Sequence, residues 1–147
     1  MAFEEGLKSI SLAADSSIGI YTGVPGLPGS ADPNNGKQYC FVKVTGAKTA
    51  GLATAATDRV IGVLQNKPQN TGAAATVGIF GVSFVVTGAG VSSTNIAAGD
   101  RIVADSAGAA VKFTVDASYT TTPKVVCGTA LAASSTAGEL IPVLLGN

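Results

Sequence analysis

Short apolar, β-branched runs recur along this chain, each closed by turn-forming residues, and that pattern is the signature of strands. The predicted strands are Tyr39–Val44, Arg59–Leu64, Ala75–Phe80, Val82–Thr87, Arg101–Ala104, Ala110–Thr114, Lys124–Ala130 and Glu139–Leu145. Nowhere do apolar residues repeat at helical spacing over a dozen positions with caps at both ends. One helical turn is expected at Asn95–Asp100, ended by Gly99. The breaks have their own chemistry. Gln65–Gly72 combines Asn, Pro and Gly and reads as a loop. Asp105–Gly108 suits a tight hairpin, with Gly108 free to take positive φ. Gly81 divides the longest apolar run as a bulge or bend would. The expected fold is all-β, a small distorted barrel or sandwich of short strands.

Residues 1–36 read differently. Their apolar residues are scattered, and three of the six prolines (Pro25, Pro28, Pro33) fall in the stretch YTGVPGLPGSADPNNG. Gly-Val-Pro, Gly-Leu-Pro, Gly-Ser-Ala imitates the collagen repeat, but three triplets cannot hold a triple helix, which needs long tracts of it. The pattern predicts an extended arm over 1–36 with a stiff Pro-Gly hinge, leading into a β domain over 37–147. Phe3, Leu7, Ile10, Leu12, Ile18 and Ile20 are the candidate anchors of that arm. Burying such side chains gains about 1.5–3 kcal/mol each, close to the cost of ordering their backbone. The arm is therefore expected to order only on a partner surface, adding a strand to an exposed edge.

Composition narrows the function. Nine basic residues balance nine acidic ones, and charged residues make up 12% of the chain, about half the usual share. No basic face exists to displace counterions, so no nucleic acid is expected as a partner. The longest apolar run, Val77–Val86, has ten residues, too short for a spanning helix of about twenty, and the N-terminus does not read as a secretory signal. A mean hydropathy of +0.41 with zero net charge points to an oligomer or an assembly component, since little opposes association. Cys40 and Cys127 read first as buried thiols and second as a single bridge.

The chain contains no histidine. That removes the commonest general base, the Ser-His-Asp arrangement and the usual zinc sites. Asp58, Asp100, Asp105, Asp116 and Glu139 are the remaining acid–base candidates, and turn chemistry already accounts for such carboxylates. Thr45–Gly51 imitates a phosphate loop around Lys48 and Thr49 but lacks the required glycines. No cofactor, metal site or enzymatic activity is expected. Phe80 and Phe84, four residues apart on one strand face, are expected in the core.

Three stretches carry a resemblance: DRVIGVLQNKPQNTGAAATVGIFGVSFV, IAAGDRIVADSAGAAV and VVCGTALAASSTAGELIPVLL. Across about residues 44–145 they resemble the capsid cement, or head decoration, proteins of bacteriophages. The matching positions are Ile61-Gly62-Val63, Val77 to Val82, Gly99-Asp100 through Gly108, Val126 through Leu131, and Pro142-Val143-Leu144. Cys127 departs from the family pattern, and the N-terminal arm matches least. The resemblance implies a β-tulip or distorted barrel, a homotrimer on the outside of the mature virion head, and the major capsid protein as partner. It implies assembly in the host cytoplasm and a mechanical role, bridging capsomers to stabilise the shell. A host-facing adhesion or carbohydrate-binding module is the alternative; it wants exposed Trp, Tyr or Asp/Asn clusters, and Trp is absent.

Overall fold

A computed structural model of the chain describes residues 6–19, 37–115 and 122–146. Their strands are β1 (Lys8–Ala14), β2 (Phe41–Gly46), β3 (Thr49–Leu52), β4 (Val60–Leu64), β5 (Ala74–Val86), β6 (Arg101–Ala104), β7 (Ala110–Lys112), β8 (Gly128–Ala130) and β9 (Leu140–Leu145). A 3₁₀ turn, Ala89–Ser92, follows β5, while the expected helical turn is an isolated tight turn closed by the Asp100 N–H on the Ala97 carbonyl (3.1 Å), with Gly99 at φ of +90°. The all-β expectation holds.

Strand order is β1-β3-β2-β4-β5-β9-β8-β6-β7, and β1 also pairs with β5. That extra pairing closes β1, β3, β2, β4 and β5 into a five-stranded barrel, with the other strands continuing outside it. β1 runs parallel to β3 (Ala13 beside Thr49) and antiparallel to β5 (Ser11 beside Thr76). A barrel has no free edge, and here the closing strand comes from the N-terminal segment.

The described part of the expected arm is therefore wall, not arm. Ala14 and Ile18 are 1% exposed in a core cluster with Cys40, Val42, Leu52, Leu64 and Val77. After β1 the chain is pinned by Asp15. Its carboxylate accepts the Ser17 N–H (2.7 Å) and the Thr45 hydroxyl (2.8 Å), and the Ser17 hydroxyl in turn accepts the Leu52 N–H (2.7 Å). Burial works against ionisation of Asp15, but these bonds outweigh it and hold the carboxyl below its usual range. Sequence reasoning missed the pairing because β1's partners lie dozens of residues away. The GVPGLPG hinge lies outside the described residues.

β5 replaces two expected strands. It runs unbroken through Gly81, whose φ of +98° is left-handed backbone that glycine alone adopts without strain. Residues Ala74–Phe80 belong to the barrel, and Gly81–Val86 pair with β9 (Gly81 beside Leu145, Phe84 beside Pro142). Where β4 crosses β5, a Cβ on Gly62 would strike the Gly78 carbonyl, so the strands approach closely only because glycine is there. β3 was not expected; it forms a tight hairpin with β2 at the segment that imitates a phosphate loop, Lys48 taking φ of 55°. The second core cluster gathers Phe41, Val63, Val85, Val91, Ile96, Ile102, Ile141 and Val143 between the barrel and the outer strands. The β6–β7 hairpin turns at Asp105–Gly108 as the sequence predicts, with φ of +72° at Gly108.

Candidate interaction surface

Successive side chains of a strand point to opposite faces, so β5 and β9 each present an outward row. On β5 it reads Phe80, Val82 and Phe84, and at its end Val86 is half-buried against a core cluster. On β9 it reads Leu140, Pro142 and Leu144. Paired residues lie side by side on one face, which aligns Val86 with Leu140, Phe84 with Pro142 and Val82 with Leu144. β8 extends the rows: Thr129 stands beside Leu144 and Arg101 beside Thr129, while the Leu131 N–H donates to the Pro142 carbonyl (2.9 Å). Phe84 is 53% exposed and Leu140 49%.

The expectation that Phe80 and Phe84 fill the core is overturned. Alternation along β5 puts Ser83 and Val85 inward, and the even positions, Phe80 and Phe84, must then face out. The inward Ser83 is satisfied by Gln65, whose Nε2 donates to the Ser83 hydroxyl and to the Val63 carbonyl, each at 2.9 Å. Tyr39 borders the outward face. Its ring meets Phe84 edge-on, centroids 6.5 Å apart and planes at 75°. Tyr39 holds this position with φ of 65°, a left-handed conformation that is uncommon for a bulky side chain. The charges lie at the margins. Lys8 sits over the Phe80 ring, Nζ 5.5 Å from its centroid, Arg101 ends the Leu144 row, and Glu139 precedes Leu140.

Of the six expected arm anchors, the four among the described residues take different places in the barrel wall. Phe3 and Ile20 lie outside the described residues. Leu7 packs on the core and over Gly78, Leu12 is half-buried, Ile18 is buried, and Ile10 remains 40% exposed beside Val77. What sequence reasoning missed is the outward row itself. Its signal was available: VSFVV and LIPVLL are apolar on both strand faces, which marks a sheet covered on both sides.

The carboxylates do turn work. Asp58 accepts the Thr54 and Ala55 N–H groups (2.7 and 3.1 Å) and pairs with Lys43 at 2.8 Å; Lys43 chiefly, with those N–H groups, holds the Asp58 carboxyl below its ordinary range. Asp100 accepts the Ala97 N–H and pairs with Lys112 (2.7 and 2.9 Å), and its carboxyl is lowered likewise. Asp105 accepts the Ala107 and Ala109 N–H groups, and Glu139 accepts the Ser134 hydroxyl. Asp116 lies outside the described residues. Among those residues no cluster of three metal-ligating side chains occurs, and no helix is long and apolar enough to cross a membrane.

Both cysteines are free thiols. Burial pushes Cys40 up to about 11 and Cys127 up to about 12; they pack in different clusters, so the bridge is not formed. Cys40 lines an open cleft of about 770 Å³ beside the outward face, together with Lys37, Tyr39, Lys67, Asp105 and Leu140.

The fold thus defines an all-β protein, a closed five-stranded barrel extended by an outer sheet. Its architecture is similar to that of a solved bacteriophage protein described as the head fiber gp8.5 N base of phi29. The TM-score is 0.57 at 18% sequence identity, over 96% of this chain and 95% of that one. No protein-family model matches the sequence, and no curated protein matches it either.

Proposed function

We propose that the chain is a structural protein of a bacteriophage head, borne on the outer surface of the virion, where copies of it attach to the major capsid protein as homotrimers and brace neighbouring capsomers. The observation that carries this reading is the fold likeness, which spans nearly the whole of both chains and meets the sequence resemblance to decoration proteins. The role asks no chemistry of the chain, in keeping with the absence of histidine and with carboxylates committed to turns. A protein that binds only the assembled lattice stabilises it by linkage, and several attached copies raise avidity without new contacts.

The test uses heads of the phage that encodes the chain, prepared without it. Purified protein added to them is expected to co-sediment at saturable, lattice-defined stoichiometry and to raise the temperature at which the heads release DNA. Failure to co-sediment with expanded heads overturns head attachment. Attachment with no change in release temperature overturns the bracing role.

A further inference from the structure

We propose that the outward face of β5 and β9, centred on Phe84, Leu140 and Leu144, is the surface through which one copy of this chain binds another. The inference rests on the reading of the chain as a multi-copy structural component and names the side chains that join the copies.

Three observations select a second copy as the occupant. The first is area. Phe80, Phe84, Leu131, Leu140 and Leu144 are 42, 53, 37, 49 and 37% exposed. With half-buried Val82 and Pro142 they leave on the order of 500 Å² of apolar surface, the upper part of the range for a monomer's largest patch. A standard interface takes about 800 Å² from each partner, roughly 60% of it apolar. The face therefore matches the apolar part of one such interface, and its margin supplies the polar remainder.

The second is charge. The margin carries both signs, Lys8 and Arg101 against Glu139, around an uncharged centre. A surface selecting a charged partner presents one sign; a surface with both can meet a copy of itself, cation to anion. The zero net charge of the chain leaves no long-range repulsion between copies.

The third is the aromatic border. Tyr39 keeps a left-handed backbone while its ring stands against Phe84. Tyr39 at the margin thus holds Phe84 in place at the centre, where aromatic anchors carry protein–protein contacts.

The experiment is sedimentation velocity of the full chain between 1 and 200 µM, without heads. The wild type is expected to associate with rising concentration. Phe84→Asp is expected to weaken association at least about 30-fold, the scale of one lost anchor. Val44→Asp, at a 54% exposed position on β2 outside this face, is expected to leave association unchanged. A wild type that stays monomeric throughout overturns the proposal and leaves the face to the capsid; so does a Phe84→Asp variant that associates like the wild type. Should Phe84→Asp melt like an unfolded chain, carbene footprinting of the wild type decides. Phe84 and Leu140 are to be labelled at low concentration and protected at high concentration, and equal labelling refutes the interface. Head binding is scored separately by wild-type co-sedimentation, so a failed self-interface and a failed head attachment give different results.

Discussion

One strand, β5, serves two neighbourhoods with opposite surfaces. In the barrel, its outward Thr76 stands beside Ser11 of β1, a polar pair suited to water. Past Gly81, its outward Phe84 stands beside Pro142 of β9, with leucines in the rows above and below. Backbone pairing runs along both, with one register shift opposite Lys8 and Ser9 on the barrel side, so hydrogen bonding does not by itself separate them. Side-chain chemistry does. The barrel is nearly finished on its outer side, where Ile10 and Val44 stay exposed singly, whereas the outer sheet is apolar on both faces and gathers its exposed side chains into one row.

The sharpest way to break this comparison is to reopen the barrel. Removing residues 1–19 takes away β1, the Asp15 turn and the buried Ile18, leaving the edges of β3 and β5 unpaired. The truncated chain is expected to lose cooperative unfolding altogether, as judged by circular dichroism in a urea titration. A truncation that unfolds cooperatively near the wild-type midpoint would return the segment to the status of an arm.

Two phenylalanines, inward Phe41 and outward Phe84, allow a finer cut. Phe41 is fully buried between the barrel and the outer strands, its N–H donating to the Gly108 carbonyl at 2.7 Å. Phe41→Ala is expected to cost about 3–5 kcal/mol, the range for an inward aromatic whose cavity cannot collapse. A loss below 1 kcal/mol by denaturant titration would mean that this seam is loosely packed.

Much of this was legible in the chain because strands with local partners announce themselves. The β6–β7 hairpin, the Gln65–Gly72 loop and the final strand follow from alternation and turn residues. β1 escaped because its ladder is non-local, and propensity carries no information about distant pairing. β3 escaped because Thr-Ala-Gly-Leu has little apolar bulk; its glycine is needed where a side chain would strike Asp15. The outward face escaped for a different reason. Burial statistics put Phe inside, while the inward position here belongs to Ser83, held by a glutamine from a loop no local pattern connects to it.

Acid probes the turn carboxylates, and alkali probes both core clusters through their thiols. The lowered Asp15, Asp58 and Asp100 bind fewer protons folded than unfolded. Their contribution is present above the unfolded value of 3.8 and is lost as pH falls below it. The thiols act in the opposite limb. Folded Cys40 and Cys127 keep their protons to about 11 and 12, while the unfolded groups release them from about 9.0. Stability is therefore expected to decline as pH rises from 9 toward 11. Replacing both cysteines with alanine should flatten the alkaline decline in the urea midpoint and leave the acid limb intact. Added reductant should change neither limb, since no disulfide is formed.

The smallest expected effect bears most directly on the difference between the two surfaces. Phe84 touches Tyr39 edge-on, and such pairs contribute about 0.5–1.5 kcal/mol beyond buried area. Because its other side faces outward, Phe84→Ala should cost no more than about 1 kcal/mol in dilute protein, where nothing covers the face. Tyr39→Gly removes the same contact and relieves the left-handed strain, so its cost should be smaller still. The two changes together should cost less than the sum of the two separately, because they share one interaction. Measurement at the lowest usable concentration is essential, since association adds to apparent stability by mass action. A loss of 3 kcal/mol or more from Phe84→Ala in monomeric protein would make the residue core in energetic terms, and the outer sheet would then be as finished as the barrel.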